Sequence, residues 1–324
     1  MRAVVCKQWG GPEKLVIETI ADLVPGPDEV VIDVKAAGVN FPDVLIIQNK
    51  YQMKPPLPFT PGAELAGIVR CVGSEVQHLQ RGDPVVAFAG LGAFAQQCLS
   101  KADRVMPMPP GMDFNTAAAF TLAYGTSWHA VRDRAALKAQ ETMLVLGAAG
   151  GVGLAAVEIG KAIGATVIAC ASTQEKLQIC KDHGADHCIN YESEDLRSRI
   201  KELTQGRGPD VVYDPVGGKF SEICFRAIGW RGRYLVVGFA NGEIPSLPMN
   251  LALLKGASIV GVFWGEFVQR EPKNNAAGLT EMLLWMKQGK IKPRISKIYP
   301  LDQTPQALMD MSERKVTGKI IITP

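Results

Sequence analysis

The chain has 324 residues, 47% hydrophobic and 21% charged, which is the make-up of a globular protein of about two domains and excludes a disordered chain. Its 35 basic and 32 acidic residues leave a net charge of +3, too small to point to nucleic acid or an anionic membrane as partner. No run of about 18 uncharged apolar residues occurs. The N-terminus "MRAVVCKQWG" is strand-like and lacks the apolar core of a signal peptide, so a cytoplasmic protein is expected.

Over the first ~120 residues the segments "EVVIDVKAAG", "LAGIVRCVG", "GDPVVAFAG" and "DRVMPMP" are short, β-branched and bounded by Gly and Pro. They predict a small antiparallel barrel or sandwich. "FNTAAAFTLAYGTSWHAVRDR" is Ala-rich with helical spacing and predicts a helix leaving that domain, with Asn115 as N-cap. Apolar strand-like runs follow at Met143–Leu146, Thr166–Ala171, His187–Asn190, Asp210–Asp214, Arg233–Gly238 and Ser258–Phe263. Helical patterns such as "GLAAVEIGKAIG" and "QEKLQICKDHG" lie between the earlier ones. Strands apolar on both faces and joined by long crossovers predict a doubly wound parallel sheet. In the tail, Leu279, Met282, Leu283 and Met286 repeat at i, i+3, i+4, i+7, an amphipathic helix, and "GKIIITP" is a terminal strand. Those last residues are too few for a separate core and are predicted to return to the first domain. The division expected is 1–122 with 266–324 for a discontinuous first domain, and 123–265 for the parallel-sheet domain.

The seven cysteines (Cys6, Cys71, Cys98, Cys170, Cys180, Cys188 and Cys224) are scattered and form no C-x-x-C pair. Neither a disulfide framework nor a structural zinc lobe is expected.

Gly147, Gly150, Gly151 and Gly153 crowd between the strand ending at Leu146 and the helix Val152–Ile163. Glycines there permit a tight turn, close approach of a pyrophosphate and tight helix–strand packing, and the helix N-terminus offers unpaired N–H groups. In one register Ala148, Gly150 and Gly153 fill the three motif positions, and in another Gly151, Gly153 and Ala156 do. Val152 lies between the loop glycines. Where an NAD-preferring site places an acid at the end of the next strand, this chain has Ala171, Ser172 and Thr173, followed by Lys176. Hydroxyls and an ammonium suit a 2′-phosphate, so NADPH is the expected cofactor.

The chain resembles the zinc-independent, quinone oxidoreductase (zeta-crystallin-like) branch of the medium-chain dehydrogenases/reductases. The resemblance rests on "AAGVNFPD", "PFTPGAELAGIV", "GDPVVAF", "GAAGGVGLAAVEIGKAIGA", "GADHCINY", "DVVYDPVGG", "GRYLVVGFA", "GVFWG" and "GKIII", and spans essentially the whole length. It implies an α/β protein in which a GroES-like β-barrel catalytic domain wraps a Rossmann NADPH-binding domain, with the cofactor in the cleft between them. Zinc-dependent relatives carry Cys where this chain has Asn40 and Gly-His-Glu where it has Gly62, Ala63 and Glu64, so no metal is expected.

Residue by residue, the resemblance places Asn40 and Asp43 near the nicotinamide and Tyr51 at the substrate mouth, where it is a candidate proton donor. Leu45 stands where the family has a second tyrosine, which implies a more apolar pocket. Thr126, Phe239, Phe263, Trp264 and Gly265 are implied on the nicotinamide side. Ser172, Lys176 and Tyr191 are implied around the 2′-phosphate, and Lys319 as a phosphate-side contact.

The activity implied is hydride transfer from NADPH to a quinone without a metal. The alternatives are reduction of an enone or enoyl-CoA double bond, and a non-catalytic NADPH-binding protein of the crystallin or RNA-binding kind. No nucleic-acid or membrane partner is expected, and a homodimer is expected through the Rossmann sheet edge, with "ASIVGVF" as the edge strand.

Overall fold

A computed structural model describes residues 1–324, and the chain divides into two compact units. The first comprises residues 1–122 and 293–324, the second residues 123–292. The first segment holds β1 (Arg2–Val5), β2 (Val16–Thr19), β3 (Glu29–Val39), α1 (Phe41–Ile47), β4 (Glu64–Val72), β5 (Pro84–Phe88), β6 (Gln97–Lys101), β7 (Val105–Pro107) and α2 (Phe114–Ala118). Next come α3 (Thr121–Trp128), a π-helical stretch His129–Arg134, β8 (Thr142–Val145), α4 (Gly151–Ile163), β9 (Thr166–Ala171), α5 (Gln174–Asp182), β10 (His187–Asn190) and α6 (Leu196–Leu203). The middle segment continues with β11 (Val211–Asp214), α7 (Lys219–Ala227), β12 (Arg233–Val236), α8 (Asn250–Lys255), β13 (Ser258–Gly261), α9 (Trp264–Arg270) and α10 (Pro272–Lys287). β14 (Ile295–Pro300), α11 (Thr304–Ser312) and β15 (Lys319–Thr323) close the chain. No helix is long and apolar enough to cross a membrane.

In the first unit one sheet runs β14-β15-β3-β4-β5-β7, with β6 also on β3. The long strand β3 gives one edge to β4. Its other edge is shared, Glu29–Asp33 pairing with β6 and Ala37–Val39 with β15. The "KIIIT" strand returns here because every one of its isoleucines has a place to be buried. Ile320 and Ile322 join Val30, Ile32 and Leu65 in the main core, while Ile321 meets Ala36, Ala66 and the α2 alanines. Each such isoleucine contributes about 2–3 kcal/mol of burial.

In the second unit six parallel strands run β10-β9-β8-β11-β12-β13. Leu144, Ile168 and Val212 on one face pack with Ile200 and Phe225. On the other face Met143 and Val167 lie against Gly160 of α4, where a Cβ would stand 2.4 Å from Met143 Cε. The strand order reverses between β8 and β11, and the carboxyl ends of strands at such a switch are where ligands of open α/β sheets bind.

Three expectations need correction. The return to the first unit falls at Pro293, not at residue 266. The reason is that α9 and α10 pack on the second unit: Phe267 stacks on His129 at 4.0 Å, Trp285 meets Trp128 edge-on at 5.0 Å, and Gly278 sits against the Trp128 indole. The N-cap before the alanine-rich helix is Asp113, whose carboxylate accepts from the Thr116 N–H at 2.9 Å, not Asn115, which lies inside α2. The strands predicted to Gly238 and Phe263 end at Val236 and Gly261.

Candidate functional site

At the end of β8 the chain turns through Gly147, which has φ +56 and so needs the left-handed region that favours glycine. Its carbonyl accepts the Gly150 N–H at 3.0 Å, and the Ala148 N–H is committed to Cys170 O on β9, also at 3.0 Å. Gly150 is the N-cap of α4 and has no side chain to satisfy the helix, and Leu154 makes the first bond inside it, to Gly150 O. The N–H groups of Gly151, Val152 and Gly153 therefore precede the helix ladder and point out of its positive end. Gly153 completes the cradle, since a Cβ there would lie 2.3 Å from Gly147 O. Gly150, Gly151 and Val152 are half-exposed. This arrangement fits the diphosphate of a dinucleotide.

Two details differ from the motif reading. Ala148 does not stand in for the turn glycine, because Gly147 makes the turn, and Ala148 is buried with its N–H occupied. The loop is backed by Val216, whose Cγ2 would meet a Cβ on Gly147 at 2.8 Å. Val216 is held by Asp214, which accepts from the Val216 and Gly217 N–H groups and from Ser221 Oγ at 2.8 Å, and from Tyr234 Oη. A strand followed by "DPVGG" was the signal for that support.

Beyond β9, Ser172 is half-exposed and Thr173 exposed, with Lys176 half-exposed one turn into α5. Thr173 is the N-cap of α5, its hydroxyl accepting from the Lys176 N–H at 3.2 Å, so it orients the turn that carries Lys176. Tyr191 follows β10 and packs on Phe220 at 4.5 Å. No carboxylate follows β9 before Glu175, which is exposed.

The residues expected near the nicotinamide are spread over several elements of the second unit. Thr126 is half-exposed on α3 and Phe239 follows β12, while Phe263, 51% exposed, precedes α9 and Gly265 lies in its first turn. Trp264 is buried, packs against Gly125, and donates its indole N–H to Asn275 Oδ1 at 3.1 Å.

In the first unit Asn40, Asp43, Glu64 and Lys319 converge, all buried. Asn40 Nδ2 donates to Glu64 Oε1 at 2.8 Å and to Gly38 O at 3.3 Å. Lys319 Nζ donates to Val39 O at 3.1 Å, Asn40 Oδ1 at 2.5 Å and Glu64 Oε1 at 2.7 Å. The other Glu64 oxygen accepts from the Leu122 N–H at 2.7 Å. Lys319 therefore has all three donors engaged and cannot serve as the expected phosphate contact. Asn40 is likewise engaged at both ends of its amide. Glu64 was absent from the residues expected at the site, because only contacts made across 24 and 255 positions of chain reveal it.

Asp43 lies in the first turn of α1, where Oδ2 accepts from the Asn40 N–H at 2.8 Å, while Oδ1 is buried without a partner. Burial is the main influence on its carboxyl and pushes it up to about 7, against the lowering pull of the Asn40 N–H and the Lys319 charge. Tyr51 lies just past the α1 C-terminus. Burial first, and the Asp43 charge second, push its phenol above the ordinary range.

The cysteines are all free, and burial pushes the thiols of Cys98 and Cys180 up to about 12, so they are inert core residues.

Two family models match the chain: an alcohol dehydrogenase GroES-like domain over residues 26–110 and a zinc-binding dehydrogenase model over residues 151–281. A protein named quinone oxidoreductase-like protein 2 homolog, from Nematostella vectensis, is 38% identical over 324 residues, covering 99% of this chain and 88% of that protein. Escherichia coli quinone oxidoreductase complexed with NADPH has a TM-score of 0.95 at 31% identity, with 100% of both chains covered. CurK enoyl reductase has a TM-score of 0.90 at 25% identity, covering 99% of this chain and 98% of that one. The zinc implied by one model's name does not fit the residues present. Asn40 is engaged with Lys319 and Glu64, Ala63 has no donor, and no group of three His, Cys, Asp or Glu side chains is placed to hold a metal ion.

Proposed function

The chain belongs to the quinone oxidoreductase-like medium-chain dehydrogenases/reductases, and from that premise we propose that it is an NADPH-dependent reductase whose acceptor is a quinone. The observation that carries the cofactor is the cradle at the start of α4, three outward N–H groups over a glycine that admits no Cβ. It is joined by the acid-free end of β9 with Ser172 and Lys176. The NADPH complex of the Escherichia coli relative agrees with it.

When bound, NADPH supplies a hydride to an electron-poor acceptor. The chain's own part is positioning. Gly151, Val152 and Gly153 hold the diphosphate by their N–H groups, and Ser172 and Lys176 hold the 2′-phosphate by charge-assisted hydrogen bonds. Burial and Asp43 raise the Tyr51 phenol, so it stays protonated through neutral pH as a hydrogen-bond donor to an acceptor oxygen rather than a strong acid, and the final proton comes from it or from solvent. An apolar acceptor suits Leu45, which stands where the family has a second tyrosine.

A second reading, reduction of a conjugated carbon–carbon double bond, is favoured by the likeness to CurK enoyl reductase. A panel of quinones, enones and enoyl-CoA esters with NADPH, with products identified, separates the two. Oxidation of NADPH by quinones above the enoyl esters supports the first, and no turnover with any acceptor removes both.

The same reading makes the protein a homodimer through β13. That strand is one of the two edges of the parallel sheet, Ile259 on it is 47% exposed, and Trp230 and Leu253 are 72% and 80% exposed. An open apolar edge of this kind calls for a partner strand. Light scattering on a size-exclusion column tests it, and a monomer that Ile259→Lys leaves unchanged contradicts it.

A further inference from the structure

We infer that Ser127 and Tyr124 are positioning residues that tie helix α3 to helix α4, so that the diphosphate loop and the Thr126 face are held at one fixed spacing. The inference rests on the dinucleotide reading above. Ser127 Oγ donates to Val152 O at 2.7 Å, and Val152 belongs to the first turn of α4, among the N–H groups assigned to the diphosphate. With its proton so used, Ser127 Oγ accepts from Tyr213 Oη, 2.9 Å away on β11. Both side chains are fully buried.

The second tie is one α3 turn earlier. Tyr124 Oη donates to Glu158 Oε2 at 2.5 Å, further down α4. Glu158 is itself buried and is held by His183 Nδ1 at 2.6 Å and by the Lys292 N–H at 3.1 Å. Between the two ties, Gly125 lies against the Trp264 indole, where a Cβ would stand 2.7 Å from the ring, so α3 cannot shift that way. Thr126 lies within this clamp and is half-exposed. The helix leaves the clamp through the π-helical turn, where the Ala135 N–H reaches Ala130 O at 2.9 Å, a geometry frequent at functional sites.

Alanine and phenylalanine would fill the same space as Ser127 and Tyr213 without burying hydroxyls. Replacing both members of a buried hydrogen-bonded pair by apolar groups of similar shape is nearly neutral for stability. The polar pair therefore serves geometry more than stability, and the double variant Ser127→Ala with Tyr213→Phe separates the two roles.

Affinities of wild type and variant for NADPH and for adenosine 2′,5′-bisphosphate, which reaches only the adenosine side, are read by titration, together with the thermal midpoint. The expected result is a melting curve close to wild type, NADPH affinity lowered by about tenfold and bisphosphate affinity unchanged. Tyr124→Phe takes one donor from the buried Glu158 carboxylate and so should lower the thermal midpoint as well, with NADPH affinity lowered about threefold and bisphosphate affinity unchanged. Unchanged NADPH affinity in both variants, or equal losses for NADPH and bisphosphate, overturns the inference. A wild-type protein that binds neither ligand overturns the dinucleotide reading, and this inference falls with it.

Discussion

Two polar centres in this chain are built in opposite ways. At the start of α4 the backbone leaves the Gly151, Val152 and Gly153 N–H groups outside any ladder, with half-exposed surface around them. Around Lys319 the amide of Asn40, the carboxylate of Glu64 and the ammonium satisfy one another out of water, and only Asp43 Oδ1 is left over. The first turns its donors outward, and the second pairs its polar atoms within the chain. Residue type alone does not tell them apart, because Lys and Asn suit a binding site as readily as a buried ion pair. What distinguishes them is where each donor points.

The difference can be broken from the closed side first. Lys319→Met leaves the Glu64 carboxylate buried without its cation and should lower unfolding free energy by about 3–5 kcal/mol, measured in denaturant. A loss under about 1 kcal/mol would mean the pair is solvated and the centre is not closed.

Asp43 gives the next effect, and it depends on pH. Its carboxyl is raised in the folded chain to about 7 from 3.8, so the folded state holds the proton more tightly than the unfolded one. Relative stability is therefore full below the ordinary carboxylate range, and about 4 kcal/mol of it is lost as pH rises through 7. Melting curves of wild type against Asp43→Asn across this window should diverge in favour of the variant as pH rises. Parallel curves would show a solvated carboxyl.

On the open side, Gly153→Ala places a Cβ against Gly147 O. It should weaken NADPH by about a hundredfold, roughly 2.7 kcal/mol, with circular dichroism unchanged. The smallest effect is that of Lys176→Ala, which should weaken NADPH by about tenfold and leave NADH unaltered, narrowing the preference between them. An unchanged ratio removes Lys176 from the 2′-phosphate site.

Much of this was legible in the sequence where a local pattern decides the structure. The six parallel strands were readable because "MLVL", "TVIACA" and "DVVYD" are apolar on both faces. The loop was readable because glycines sit between a strand and a helix. The details that escaped depend on contacts far apart in sequence. That Gly147 makes the turn follows from Val216 lying against it, and that Lys319 is unavailable follows from Glu64, 255 residues away. The boundary was misplaced because the tail helix is amphipathic for either unit, and only Trp128 and His129 decide which one it covers.

The central claim is that the open centre takes NADPH. Fluorescence titration of the purified protein with NADPH and NADH tests it most directly. NADPH should bind at least about tenfold more tightly than NADH. Equal affinities, or tighter binding of NADH, would contradict it.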